Sequence, residues 1–539
     1  FWDPPLESGG APTGQRYDVL RSGNPADFDT AAACVERNDG PETGAYDYHA
    51  PALGEVVFYL ARAKSECPQR YGPAGFDSDG IERLARTCDV PDPATIAPDI
   101  DPGVATSLLD AFSFLYEQDD PVQTGVVPDE ISPQRVALIQ GRLLDVAGLP
   151  IEGVQVSVLD RPEFGSTLSR ADGHYDLGVN GDNYLVLDYD RVGYIAAQRR
   201  FFVPRLDYVP LDDVVLLRYD NAVSTVVLSA PVDTSVHLAT PVTDADGSRQ
   251  AALIIPHGKT VDSTWVPNNA TMVYPDGSTE PLPSMNVRAT EYTVGDNGPA
   301  AMPGILPATS AYTYAVELSV DEAVNQGAES VVFDQPVAMY LENFLGFPVG
   351  GIVPTGYYDR VRGEWVPSEN GRVVEVLGIT GGLADLDTDG DGQVDGQATL
   401  DALGIDDAER QEVGSLYGPG QTLWRVLISH FTPWDHNWPY STPDDAEPPP
   451  NRSRRRNQKE EEFYIYCRST LECQNQVLGQ SVAIAGTPFR LHYRSDLVEG
   501  RRDNNQLEIE LTDDSYPPSL SRIDLAIVVA GQKTELTFP

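Results

Sequence analysis

The residues whose types and spacing can do chemistry lie in one short run, Asp385-Leu386-Asp387-Thr388-Asp389-Gly390-Asp391-Gly392-Gln393-Val394-Asp395. Counted from Asp387, carboxylates stand at positions 1, 3, 5 and 9 (Asp387, Asp389, Asp391, Asp395), with Gly392 at the turn and Gln393 at position 7, where a backbone carbonyl serves. Ca²⁺ takes about six to eight oxygen ligands, and this spacing aims several carboxylates at one point while glycine lets the backbone wrap. Val394 is read as the apolar anchor of the loop. Position 12 is Ala398 rather than a bidentate acid, so Asp385 or Asp401 is the substitute donor. The expectation is a structural Ca²⁺ site on Asp385, Asp387, Asp389, Asp391, Gln393 and Asp395, pinning residues 385–396 ahead of a short helical pair near 398–415.

Other constellations fail on chemistry. Gly258-Lys259-Thr260 ends like a phosphate-binding loop, but Leu253 stands where the first glycine is required. Neither H-E-x-x-H nor G-x-S-x-G occurs. His430 and His436 flank Asp435 without an obvious nucleophile and read as packing residues beside Trp434. No catalytic residue and no organic cofactor is expected, so the chain reads as a non-enzyme.

The elements that must position the acidic run are strands. With 47 Gly and 44 Pro in 539 residues, turns recur too often for long helices, and the length suggests several modules. The fold class expected is mainly β: several antiparallel β-sandwich modules with a small irregular and helical N-terminal cap over 1–130. Helices are predicted at Leu53 to Lys64, Asp79 to Thr87 and Pro102 to Gln118, the last with Leu108, Leu109, Phe112 and Leu115 at helical spacing. From Val136 the pattern changes to period two, giving a sandwich over 131–217 and further sandwich strands over 218–440. Residues 441–462 combine proline, an arginine cluster and an acidic run, and form a linker; 463–539 alternate again as strands.

A net charge of -45 repels phosphate backbones, which argues against nucleic-acid binding, and divalent cations are the natural partners. No stretch of 18 or more apolar residues occurs, so neither a signal peptide nor a membrane span is read in the sequence, which begins at Phe1. The five cysteines fall in two groups, 34, 67 and 88, then 467 and 473. One bridge within the first group and one within the second remain open, with at least one thiol free.

Gly141, Asp145, Gly148, Pro150, Ile151, Gly153, Val154 and Val156, followed by Ser169-Arg170-Ala171-Asp172-Gly173-His174-Tyr175, resemble the transthyretin-like, carboxypeptidase-regulatory-like sandwich family. Further blocks resemble the pre-repeat region of bacterial RHS-repeat (YD-repeat), teneurin-like proteins: Arg288 to Gly295, Tyr312 to Ser319, Phe431 to Tyr440, Glu472 to Gly479, and Gly486 to Asp496. His436 departs from the cysteine that the resemblance leads one to expect. The resemblance implies a secreted or cell-surface scaffold. Its 218–440 region would be a plug and 463–539 the first strands of a YD-repeat β-shell. Partners would be the shell and a C-terminal toxin of the same precursor, with secretion machinery or a cell-surface ligand beyond them. The alternative is a teneurin-like adhesion protein.

Overall fold

The computed structural model describes residues 16–446, except 31, 40–44, 46, 65–71, 77–79, 100, 102, 119, 230–231, 262–263, 308, 440 and 442, and parts of 479–539. Most of the expected linker, Cys67, Cys467, Cys473 and most of the Glu472 to Gly479 block lie outside the described residues.

The described residues open on a three-stranded antiparallel sheet, β1 (Arg16–Ser22), β2 (Ala32–Asp39) and β3 (Phe58–Lys64), in the order β2-β1-β3. Two helix expectations are thereby corrected. Residues 58–64 pair in unbroken register with β1, Arg16 against Lys64 through Ser22 against Phe58. Residues 80–87 hold only isolated bridges. Both segments offer helix-like apolar spacing, but pairing and the Cys34–Cys88 disulfide, 54 residues apart in sequence, override so weak a local preference. A one-turn helix α1 (Pro93–Ile96) follows.

The third predicted helix survives as two short pieces, α2 (Leu108–Phe112) and α3 (Phe114–Glu117). The start is not at Asp101. Ser107 caps α2 through Asp110 N, and Asp110 answers to the Ser107 N–H, a reciprocal capping box. Leu108, Phe112 and Leu115 enter the core of the following sandwich.

That sandwich is built of β4 (Gln123–Thr124), β5 (Val136–Leu144), β6 (Gln155–Val158), β7 (Ser166–Leu168), β8 (His174–Asn180), β9 (Asn183–Asp190), β10 (Ala197–Val203), β11 (Asp207–Pro210) and β12 (Val214–Val215). One sheet runs β10-β9-β6-β7-β4; in the other, β5 pairs antiparallel with β8 and parallel with β11 and β12. The buried side chains of β8 reach both faces, since Phe112 of α2 covers the side that would otherwise meet water.

A second, larger sandwich follows. Its strands are β13 (Ser224–Val226), β14 (Thr234–Leu238), β15 (Ala252–Pro256), β16 (Ala270–Val273), β17 (Met285–Glu291), β18 (Ala315–Val320), β19 (Ser330–Glu342), β20 (Ile352–Val353), β21 (Gly356–Asp359), β22 (Glu364–Pro367), β23 (Gly371–Thr380), β24 (Leu383–Asp387), β25 (Thr422–Phe431) and β26 (Pro433–Asp435). One sheet runs β13-β17-β18-β26-β21-β22; the other has the path β14-β15-β19-β25-β23-β20, with β16 on β19 and β24 on β23. A single cluster that includes Leu253, Met339, Trp424 and Trp434 fills the space between them. The short helix α4 (Asp321–Asn325) follows β18, and on the outer face of the larger sheet sit α5 (Gln397–Ala402) and α6 (Asp407–Leu416). They bury Leu400 and Val413 against Ala384, Leu386 and Tyr340. The helical pair expected after the acidic loop is therefore present. Two hairpins, Gly479–Ala483 with Arg490–Arg494 and Ile523–Val529 with Gln532–Phe538, agree with strands in 463–539.

Candidate functional site

The acidic loop grows out of β24, which ends on Asp387. Asp387 is buried at 1% exposure, and its carboxylate organises the loop backbone: Oδ1 accepts from the N–H of Asp389 (3.2 Å) and Gly390 (2.7 Å), Oδ2 from Gly392 N–H (2.8 Å). Asp389 Oδ1 takes the N–H of Asp391 (3.1 Å), and Asp391 Oδ1 that of Gln393 (2.7 Å). Gly390 and Gly392 stand at φ of 81° and 75°, where a side chain is strained. This ladder of carboxylate-to-amide bonds brings ligand oxygens of Asp387, Asp389 and Asp391 within 4.8 Å of one another. So close a set of anions repels itself, and a divalent cation is the chemistry that offsets the repulsion.

The remaining predicted ligands are not brought to that point. Asp395 Oδ2 accepts from the Thr388 amide (2.7 Å) and hydroxyl (2.6 Å), closing the loop across its base. Asp385 turns to the Thr380 hydroxyl (2.6 Å) and to Arg410, 3.6 Å away. Gln393 is exposed. Val394 does not anchor anything: it is 53% exposed, and Leu386, whose carbonyl accepts from Asp395 N–H at 2.8 Å, supplies the burial instead. Behind the loop, Gly350 lies against the Asp389 carbonyl, so the segment before β20 forms its back wall.

The two histidines are packing residues in the structure. His436 is fully buried and stacked on Tyr314 at 6.0 Å, and burial holds it down to about 3. His430 meets the edge of Tyr357 at 4.5 Å. Gly258, Lys259 and Thr260 belong to a strand, Gly258–Val261, of a hairpin rather than to a loop before a helix.

A polar network apart from the acidic loop joins the two sandwiches, and spacing gave no signal of it. Ile195, Val215 and Leu217 of the first pack with Tyr292, Met302 and Ala315 of the second. Around this apolar patch, Gln198 N–H donates to Pro303 O (2.7 Å) and its side-chain amide to Arg360 O (2.9 Å) and Asp188 Oδ1 (3.1 Å). Arg199 donates to the carbonyls of Ala300 (2.6 Å) and Met302 (2.9 Å), and desolvation lowers its pKa. Arg360 pairs with buried Glu317 (2.9 Å), which also accepts from the Tyr292 hydroxyl (2.6 Å). The first sandwich is thus seated on the second through a filled apolar patch and a satisfied polar network.

Residues 131–216 match the teneurin TTR-like domain. Part of the chain aligns with Teneurin-1 of Mus musculus at 34% identity over 111 residues, 20% of this chain and 4% of that protein. Teneurin-3 of Danio rerio aligns at 30% over 159 residues (28% and 6%), and Teneurin-1 of Caenorhabditis elegans at 34% over 83 (15% and 3%). The chain therefore spans only a few per cent of the length of these relatives, 3% to 6% in the three alignments. A streptococcal ancillary pilin aligns at a TM-score of 0.13 and 9% identity, over 28% of this chain and 59% of the pilin, too little to say anything of the fold. The TTR-like resemblance read from Gly141 to Tyr175 is borne out, and the wider teneurin-like likeness holds over part of the chain.

Proposed function

We propose that this chain is a rigid, non-catalytic scaffold segment of a teneurin-like extracellular recognition protein. The observation that carries the reading is the TTR-like module, matched over 131–216 and seated on the following sandwich by Gln198, Arg199 and Arg360. A spacer would not need so many directional bonds to its neighbour; a presented binding surface does, because a fixed orientation lowers the entropy lost on binding. The Cys34–Cys88 disulfide suits an oxidising, extracellular compartment. No helix among the described residues is long and apolar enough to cross a membrane.

Within that scaffold the acidic loop takes Ca²⁺ in a structural role, through Asp387, Asp389, Asp391 and backbone or water oxygens. Its partner would be a cell-surface ligand. The test is to coat beads with the chain and challenge them with cells of its source: calcium-dependent binding supports the reading, and beads that ignore the cells with and without Ca²⁺ count against it.

A second reading, the plug of a YD-repeat shell around a toxin, draws on the two C-terminal hairpins. Leu491 (48%), Leu536 (43%) and Phe538 (40%) are exposed on them, apolar surface that a covering element would bury. Mixing the chain with a purified YD-repeat segment distinguishes the two: a stable complex supports the plug, and no association counts against it.

A further inference from the structure

Between the outer face of the larger sheet and the α5–α6 pair runs a groove of about 930 Å³. Its floor is apolar, from Ile254, Ala338 and Leu427. One wall carries Gly258 and Trp265, from the paired strands Gly258–Val261 and Thr264–Pro267; the other carries Asp401, Asp406 and Asp407, with Asp233 also on the lining. No lysine, arginine or histidine lines it among the described residues.

Trp265 is the informative residue. It is 48% exposed, yet it is not loosely placed. Its ring lies so close to the backbone of Gly258 that a Cβ there would meet Trp265 Cζ2 at 2.5 Å and the Val266 carbonyl at 2.6 Å. Glycine inside a strand costs stability, and at 258 it leaves room for the indole against the strand backbone, on the lining of the groove. An exposed tryptophan held in position is a recognition feature, since most of its ordering entropy is already lost before a ligand arrives.

The facing carboxylates decide the sign of the ligand. Glu409 on the same wall is spoken for by Arg425 at 2.6 Å, and Asp407 shares Arg410 at 3.0 Å. Asp406 Oδ1 caps α6 through Glu409 N–H (2.8 Å), and Asp401 Oδ1 accepts only the neutral Gln397 amide (2.8 Å). Asp233 is exposed at the rim. Three carboxylates thus face the groove without a basic partner on its lining, opposite an electron-rich indole. An anion is repelled there, and a cation is attracted by both walls.

We infer that this groove binds an extended lysine- or arginine-bearing segment of a partner protein, with one cationic side chain over Trp265 and beside the Asp233 and Asp401 carboxylates. The inference goes beyond the scaffold reading and stands whether or not the chain acts in adhesion.

The test uses the whole chain and a short fluorescein-labelled lysine–serine peptide, followed by anisotropy, with acetyl-lysine peptide and maltohexaose as competitors. Trp265→Ala is expected to weaken peptide binding roughly tenfold. Asp233→Asn with Asp401→Asn should weaken it several-fold at moderate salt. Because the chain carries a net charge of -45, a matched loss of charge elsewhere is needed. Asp160→Asn with Asp182→Asn provides it, at positive-φ positions that asparagine also tolerates. Equal weakening by that control pair, unchanged binding by W265A at an unchanged melting temperature, or no binding by the wild-type chain overturns the proposal. So does competition by maltohexaose as strong as by unlabelled peptide. Gly258→Ala, which displaces the indole without deleting it, should reproduce the W265A loss.

Discussion

The Tyr358 hydroxyl of the second sandwich donates to Gln198 Oε1 of the TTR-like module at 3.0 Å, and both groups are buried. The Gln198 side chain ties the junction to its own module, since its amide nitrogen serves Arg360 O across the junction and Asp188 of the neighbouring strand at the same time. Tyr358→Phe leaves the Gln198 carbonyl buried without a donor, which costs about 1–3 kcal/mol. Gln198→Ala exposes several groups to the same fate and should cost more. Urea denaturation measures both, and the segment joining the modules, near Asn221, should become the first site of limited proteolysis. Equal protease resistance in both variants would show that the modules are held by the apolar patch alone.

The same junction should respond to pH. Burial pushes Asp188 up to about 6, with Asp190 and Asp160 adding repulsion and Gln198 and Arg360 opposing it. A carboxyl whose folded pKa is raised contributes stability that is complete below the unfolded value, near 3.9, and lost as pH rises through the folded one. The window is therefore about pH 4 to 6. Asp188→Asn mimics the protonated acid at every pH. It should be more stable than wild type at neutral pH, and the gap should close on acidification to about pH 4. A gap that stays constant across that range sinks the assignment.

For the acidic loop, adding EGTA should lower the melting temperature of the wild-type chain by several degrees. A structural ion bound only by the folded state stabilises it through mass action. Asp389→Asn with Asp391→Asn should abolish the response. Asp385→Asn should keep it, because Asp385 is held by Thr380 and Arg410 and not by the trio. An EGTA response lost equally in D385N would mean that the six-residue ligand set read from spacing is nearer the truth than the trio.

That contrast shows what was legible in the chain. Local information reached far: the D-x-D-x-D-G spacing places Asp387, Asp389 and Asp391 together because each carboxylate closes a turn two or three residues on. It failed where a distant element competes, as Arg410 does for Asp385. The TTR-like module was readable because period-two alternation and Asp-Gly turns set its register locally. Strand β3 was not, since its identity depends on pairing with residues more than thirty positions earlier. The Trp265 groove gave no sequence signal at all: its walls come from residues far apart in the chain, among them Asp233, Gly258, Trp265, Gln335, Asp401 and Glu409.

The groove also depends on a buried ion pair that fixes α6 to the sheet. Glu409 accepts from Arg425 at 2.6 and 2.9 Å and from the Tyr340 hydroxyl at 2.7 Å, with both charged side chains below 10% exposed at 9% and 6%. Arg425 also donates to Leu403 O at 3.0 Å, tying α5 to the same strand. Removing one partner strands the other charge in the interior, so Glu409→Ala should cost about 3–5 kcal/mol. Replacing both, Glu409→Met with Arg425→Met, removes the desolvation penalty along with the attraction and should recover most of the loss. Chemical denaturation of the two single variants and the double one checks this. If the double variant is as unstable as the sum of the singles, the pair contributes through geometry that methionine cannot supply. The α5–α6 wall then requires the charges themselves.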